Sequence, residues 1–451
     1  MSKQPASFLG TPATAPGPLG PDMLRAFRTI RGNPLEYLHT VWQAHGDIAQ
    51  FPVPRPPSYL VNSLSGVRRV LIDNARNYGK STIQYKALSL VTGEGLLTSD
   101  GDTWRGQRRV LQPAFHHSAL EDIGKHVSAA TRRVAQQWRD LPEGAVVDVD
   151  AYMMSAALEV VAASLMSTDL TGKSSDIAAA TLDALEVVVA RARVPITPPG
   201  WLPTPANRVL RRSVARLDAA VADMVAARRS EPGADLLGML LSVRDEVGSP
   251  LEISEIRDQL VTFIVAGHET VASALGWAWG LIAAHPNVGD RIAEEADAVA
   301  PSRPLSFTDY RELTYTRAVI DETLRLYPPA WLVTRSAIDS DVIDDVSVPA
   351  GSLIIMSPWL LHRHPQLWES PEEFRPERFL SGVERFAHIP FGAGPRLCIG
   401  RDFSYVESVM MVAELARRFT VRQPPGVEFP EGDPLVTIRP RGGMPLIVES
   451  R

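Results

Sequence analysis

The longest apolar stretch of the chain, Leu260–Ala284, constrains the fold more than any other segment. Extended back to Ser254 and stopped at His285-Pro286, it spells a helix of roughly 48 Å at about 1.5 Å per residue. Ser249, Glu252 and Ser254 all offer capping groups, so the sequence leaves its first turn open. A helix apolar on every side must be buried, either in lipid or in the core of a large protein. Its length suits a membrane span. Its centre does not, because Gly267-His268-Glu269-Thr270 puts an ionisable pair where lipid burial is costly. The segment therefore reads as a central core helix, and its polar break as a candidate functional site.

The surrounding pattern is mostly helical. Apolar residues recur at three- and four-residue steps through 118–139, 151–168, 175–192, 206–229 and 315–326. Residues 34–75 predict a small sheet, with runs at Ile48 to Phe51 and Tyr59 to Val61, followed by a helix near Gly66–Asn74. The proline-rich stretch 194–205 predicts a loop between helices. After Pro328 come short strands such as Leu353–Met356, then a last helix over Gly400–Phe419 and a strand-rich tail. No linker or repeat divides the 451 residues. The expectation is a mainly α protein with smaller β-sheets, one large domain over 21–451 behind a flexible Pro/Ala-rich leader at 1–20. That leader is too polar for a signal peptide or membrane anchor. A net charge of −6 gives no electrostatic reason to expect nucleic acid or an anionic membrane. The single cysteine excludes an intrachain disulfide and any metal site built on two thiolates, and fits a reducing cytoplasm.

That cysteine lies in Phe391-Gly392-Ala393-Gly394-Pro395-Arg396-Leu397-Cys398-Ile399-Gly400. Three glycines let backbone approach a flat, bulky cofactor closely. The predicted helix behind places the sulfur at a helix entrance, where the dipole favours a thiolate. Arg396 is placed to meet an anionic group of the cofactor. The pattern Phe-x-x-Gly-x-Arg-x-Cys-x-Gly resembles the haem-binding signature of the cytochrome P-450 superfamily. The resemblance implies a haem b whose iron takes Cys398 as its axial ligand, with Phe391 and Arg396 in the cofactor-binding loop.

Three further motifs, in the expected order, carry the resemblance along nearly the whole chain. Ala266-Gly267-His268-Glu269-Thr270 is similar to the family's oxygen-activation segment, which implies catalytic roles for Gly267, Glu269 and Thr270 beside a cofactor-lining Ala266. The threonine hydroxyl can meet bound oxygen, or bond back to a carbonyl one turn earlier. The sequence has Glu where Asp is commoner, and Val271 where a second hydroxyl residue often stands. Glu322-Thr323-Leu324-Arg325, with Phe374-Arg375-Pro376-Glu377-Arg378-Phe379, resembles the family's Glu-x-x-Arg helix and arginine loop. It implies a buried charge triad of Glu322, Arg325 and Arg378 supporting the cysteine loop. Trp104 and Arg108, one helical turn apart, match residues that bind haem propionates, as does Arg335; His388 is a weaker candidate. His116-His117 and His362-x-His364 lack metal-ligand spacing and read as structural.

The activity this implies is monooxygenation, one atom of O2 entering a hydrophobic small molecule of the terpenoid, fatty acid, steroid or polyketide class. The expected substrate contacts are Tyr78–Leu97, Ile196–Leu202, Phe263–Ala266 and Pro329–Val333, where Trp331, Leu332 and Val333 are bulky. No flavin or ferredoxin segment follows the cysteine, so electrons are expected from a separate ferredoxin and NAD(P)H-dependent reductase. Arg105, Arg109, Arg401, Arg417 and Arg418 suggest a basic docking patch. A peroxide-dependent haem-thiolate enzyme is the alternative within the fold, although the Glu269-Thr270 pair argues against it. A haem-based ligand binder is the non-enzymatic alternative, and no signalling domain supports it.

Overall fold

The computed structural model describes residues 13–53, 56–169, 174–192, 198–228, 233, 235–244 and 250–451. In chain order its helices are α1 (Gly20–Arg25), α2 (Phe27–Gly32), α3 (Pro34–His45), α4 (Leu64–Arg68), α5 (Ile83–Thr92), α6 (Gly101–Leu111), α7 (His117–Arg139) and α8 (Val149–Met166). There follow α9 (Ser174–Ala192), α10 (Pro205–Arg228), α11 (Leu236–Ser242), α12 (Ile253–Ala284), α13 (Pro286–Val299), α14 (Thr314–Leu326), α15 (Pro358–Leu361) and α16 (Arg401–Ala416). The strands are short and flank this helical mass.

The central apolar segment is α12, and Glu252 supplies its N-cap. The Glu252 side chain accepts from the Glu255 backbone N–H while the Glu255 side chain accepts the Glu252 N–H at 2.9 Å, a reciprocal capping box. The helix runs uninterrupted through Gly267–Thr270, so the polar segment is not a break in its ladder. Instead Thr270 Oγ1 bonds back to the Ala266 carbonyl at 2.7 Å. The ring of His268 bonds back to Ile264 in the same way. Helix α8 lies along α12, and both are long and apolar enough to cross a membrane. They are core helices here, since 67% of the α8 window and 83% of the α12 window are buried inside the protein. Their approach is close at Gly267, where an added Cβ would come within 2.9 Å of Val161 on α8. The glycine is required by helix packing at that point, in addition to any space it leaves on the cavity side.

The largest sheet joins distant segments in the order β1-β2-β8-β5-β3. Strands β1 (Ile48–Phe51) and β2 (Ser58–Val61), the runs expected to form a small sheet, pair as an antiparallel hairpin. The sheet is completed by β3 (Tyr78–Gly79), β5 (Val333–Ala337) and β8 (Leu353–Met356), with β8 parallel to β2. Beyond it, β4 (Val146–Asp148), β9 (Phe419–Arg422) and β12 (Pro445–Ser450) make a second sheet. Strands β6 (Asp341–Ile343) and β7 (Val346–Val348) form one ribbon, and β10 (Gly432–Pro434) and β11 (Ile438–Pro440) another.

Three expectations change. The last helix stops at Ala416, because Phe419 pairs with Ser450 in the second sheet. The helix near Gly66–Asn74 is α4 followed by a wider turn over Arg69–Asp73. The leader is only partly a separate segment. Residues 1–12 lie outside the described residues, but Thr14 and Ala15 bond Gln50, Thr14 meets the Tyr59 hydroxyl at 2.7 Å, and Pro16 accepts from Gln50 at 2.8 Å. The end of the leader is thus docked on the hairpin.

Candidate active site: a thiol, a cation cluster and an apolar cavity

Cys398 stands just before α16, on a loop whose shape depends on Gly392 and Gly394, both at positive φ. At Gly394 a Cβ would collide with the Leu71 carbonyl, so only glycine lets this loop lie against the turn at 69–73. The loop closes on itself where the Cys398 N–H donates to the Phe391 carbonyl at 3.0 Å. The sulfur lies deep in the protein yet is open to an interior cavity of about 680 Å³. Burial pushes its pKa up, against the Gly400 N–H and the guanidinium groups of Arg108 and Arg401, which favour the thiolate. A metal cation at the sulfur would complete the deprotonation that those groups begin.

Cations gather on one side of this cavity. Arg108 donates to the Leu397 carbonyl at 3.1 Å, tying α6 to the cysteine loop. Arg396 stacks 3.8 Å over the Trp104 ring, donates to the Ser99 carbonyl and pairs with Asp100. Arg335 reaches the Tyr85 hydroxyl at 3.3 Å. A fourth cation, Lys80, was not legible as a site residue in the sequence. Its ammonium donates to the Leu97 carbonyl at 2.6 Å and lies 4.7 Å from the Tyr85 ring centre. Burial, then the charges of Arg335 and Arg396, hold the Lys80 pKa far below its ordinary value. Burial and Arg335 also bring Arg396 down to about 10. Of these four cations only Arg396 is ion-paired with a carboxylate among the described residues, that of Asp100, an arrangement that calls for further negative charge. The two carboxylates of a haem fit that need, the thiol fits its iron, and the glycine loop and apolar walls fit its flat face. Lys80, Trp104, Arg108, Arg335 and Arg396 would hold the acid edge; Phe391, Ala266 and Gly267 line the same cavity.

His388 does not join them. Its ring packs against Phe379 at 4.8 Å and His362 at 5.0 Å, outside the cavity lining, and burial lowers its pKa to about 4. Three residues from Phe391 in sequence, it points to the opposite side of the loop.

The charge triad forms beneath. Arg325 spends all five of its N–H donors: two on Glu322 at 2.7 and 2.8 Å, two on the carbonyls of His362 and Pro371, one on that of Glu373. Glu322 also accepts from Arg378 at 3.1 Å and from the Arg375 N–H at 2.8 Å. His362 links this network to the cysteine loop. Its Nδ1–H faces the Arg325 carbonyl at 3.2 Å while Nε2 accepts the Ile389 N–H at 2.9 Å. That requires a neutral ring, and burial keeps it neutral. His364 is engaged by Asp47 at 3.1 Å, and His116 is the exposed N-cap of α7.

On the α12 side of the cavity, Glu269 is fully buried, and burial raises its pKa to about 7. Its partner, missed in the sequence reading, is Thr437, whose hydroxyl donates to Oε1 at 2.7 Å. Glu269, Thr270 and Thr437 all line the cavity, with Leu88, Val161, Leu165, Val188 and Phe263 as apolar walls. Trp331, Leu332 and Val333 contribute as expected, as does the 78–97 segment. Ile196 lies outside the described residues. Trp201, 75% exposed, and Leu202 face solvent and do not line the cavity.

Known proteins agree with this geometry. The Cytochrome P450 family profile matches residues 15–446. The chain is 36% identical to cyclooctat-9-en-7-ol 5-monooxygenase of Streptomyces melanosporofaciens, over 100% of this chain and 98% of that one. It is 34% identical to cyclooctatin synthase of the same organism, over 99% and 95%. It is 32% identical to pentalenene oxygenase of Streptomyces avermitilis, over 92% of each. The motifs, the thiol beneath a cavity ringed by cations, and this end-to-end similarity lead to one conclusion: the chain belongs to the cytochrome P450 family and is a haem-thiolate monooxygenase.

Proposed function

We propose that this monooxygenase oxygenates a compact cyclic terpenoid in the cytoplasm, with electrons delivered singly by a separate ferredoxin and its NAD(P)H-dependent reductase. The observation that carries the reading is the cavity itself: it ends on the Cys398 sulfur, and most of its lining between α5, α8, α9 and α12 is apolar. Such walls recognise shape and hydrophobic area, with few polar groups to select a functional group. The relatives named for cyclooctat-9-en-7-ol and pentalenene support a terpenoid within that class.

Bound haem supplies the redox chemistry, reductive activation of O2. The chain supplies the surroundings. Cys398 gives the electron-rich ligand, and the apolar walls exclude water and orient the substrate. Glu269, poised near neutrality by its burial, holds a transferable proton at its carboxyl, and Thr270 on the next residue presents a hydroxyl to the same space. Gly267 keeps α12 close to α8, and both helices line the cavity that Cys398 opens to. The presence of this acid–alcohol pair favours dioxygen over peroxide as the oxidant.

The test is a ligand panel on the ferric holoenzyme: pentalenene, cyclooctat-9-en-7-ol, palmitic acid and progesterone. A terpenoid should displace water and shift the haem spectrum, and with a surrogate ferredoxin system give a product carrying one atom from labelled O2. A shift with palmitic acid or progesterone and none with either terpenoid would overturn the substrate class. Turnover with peroxide alongside inactivity with every ferredoxin system would overturn the oxidant.

A further inference from the structure

Residues 435–439, which contain Thr437, are held from several sides. The Ile438 carbonyl accepts from Ser273 Oγ at 2.6 Å and from Trp277 Nε1 at 2.9 Å, both on α12. The Ile438 N–H donates to Pro329, and the Leu435 carbonyl accepts from Trp331 Nε1 at 3.0 Å. Arg439 is buried in an ion pair with Asp150 of α8. A segment clamped this way cannot drift along α12. The hydroxyl of Thr437, a residue only 1% exposed, is therefore delivered to a fixed point on the cavity wall. There it meets Glu269, a side chain 168 residues earlier in sequence.

We infer that Thr437 is a positioning residue for the reaction, holding the Glu269 carboxyl at the cavity wall and setting its proton affinity. The inference rests on the reading of Glu269 as proton donor given above. A buried carboxyl with no fixed partner samples several rotamers, and only some present its proton to the cavity. A hydroxyl clamped from β11 selects one. It also biases the charge state, because its O–H donates to the carboxylate and so favours ionisation. The other charged groups facing Glu269 are Arg439 on β11, which favours ionisation, and Asp150 on α8, which opposes it. His268, its neighbour on α12, is held neutral by burial. Arg439 and Asp150 are paired with each other, so their effects on Glu269 largely offset. The uncharged Thr437 contact is the one that a single substitution can remove cleanly.

The first readout needs no turnover: infrared titration of the protonated carboxyl stretch in the resting ferric holoenzyme, taken as wild type minus Glu269→Gln. The wild-type band should titrate near neutral pH. In Thr437→Val its midpoint should rise by roughly one pH unit, the worth of one lost hydrogen bond, and the band should move to the frequency of a free carbonyl. Thr437→Ser should restore both. Thr437→Ala gives the same comparison where valine misfits, with the carbon monoxide band of the thiolate-ligated haem as the check on folding. The second readout is peroxide released per O2 consumed with the surrogate ferredoxin system and cyclooctat-9-en-7-ol. It should rise several-fold in Thr437→Val and not in Thr437→Ser. An unchanged midpoint and frequency in Thr437→Val overturns the inference. A shifted midpoint, with peroxide release and its pH dependence unmoved by Glu269→Gln, leaves the contact standing and overturns the reading of Glu269.

Discussion

Two buried polar networks on opposite sides of the cavity are built on opposite principles. Below the Cys398 loop, the network centred on Arg325 is saturated. Arg325 uses five donors, Glu322 accepts from three residues, and His362 passes the network on to Ile389 and the cysteine loop. On the α12 side, buried groups are left short. His268 Nε2 and Asp150 Oδ1 have no hydrogen-bond partner among the described residues, and the Thr437 hydroxyl anchors one oxygen of Glu269. Saturated buried networks fix geometry, because each change strands a partner. An undersatisfied site is less stable, but its groups can change proton number without tearing a network apart. The Arg325 network is made rigid and the Glu269 site is left titratable.

Substitutions on the two sides should therefore fail differently. The largest effect is expected at Cys398 itself. Cys398→His should abolish both the red-shifted carbon monoxide band of the reduced protein and monooxygenation; retention of that band would refute the axial role. Next comes Arg325→Met. It removes the two-point partner of a fully buried Glu322 and leaves Arg378 as its one remaining cation, at a cost on the order of 3 kcal/mol. Denaturant midpoint and haem content should both fall, and Arg325→Lys should not rescue them, since an ammonium cannot supply five donors in one plane.

Glu269→Gln tests the other side and should separate activity from stability. Loss of a general acid predicts a drop in coupled oxygenation of roughly 100-fold. Stability should move the other way at alkaline pH. The folded-state pKa of Glu269, about 7, lies above the ordinary glutamate value of 4.5. The unfolded chain therefore loses its proton first, and folding stability drains away as pH rises from about 4.5 to 7. The full penalty, on the order of 3 kcal/mol, persists above that range. The glutamine variant lacks it, so its melting temperature should exceed that of wild type at pH 8 and not at pH 4. Equal differences at both pH values would show that Glu269 is not held protonated by its burial.

What was legible in the sequence follows the same division. The cysteine loop and the helix behind it are contiguous, so their chemistry is written in one short motif. The apolar repeats of α7 to α10, α12 and α14 mark helices because a buried face is a local pattern. Thr437 and Lys80 were not recognisable, and His362 reads as structural without its partners. Each acts on a residue brought near only by folding, and each sits in unremarkable sequence. His388 shows the reverse error: three residues from Phe391, it turns away into the aromatic packing around Trp368 and Phe379. Sequence distance fixes neither side of a loop. Arg417 and Arg418, counted with the basic patch, lie at the far end of α16, roughly 24 Å from its first turn at about 1.5 Å per residue. There they pair with Asp297 and Glu414.

That correction shrinks the proposed ferredoxin surface to the exposed arginines beside the cysteine loop: Arg105 and Arg109 on α6, and Arg401 at the start of α16. Arg105 and Arg401 already pair with Asp102 and Asp402, which lowers the net charge they offer. The effect of Arg105→Glu with Arg109→Glu should accordingly be the smallest of the series, a several-fold slower reduction by an acidic ferredoxin at low salt. Because these charges are solvated and act across a screened gap, raising ionic strength toward 1 M, where the Debye length falls to about 3 Å, should erase the difference. Haem content and the carbon monoxide band should not change. Arg418→Glu, set beside Arg105→Glu alone, supplies the contrast: it makes the same change in net charge at the distant end of α16 and should leave reduction as it is. Equal slowing by both would mean that overall charge, and not a docking face beside Cys398, governs the encounter.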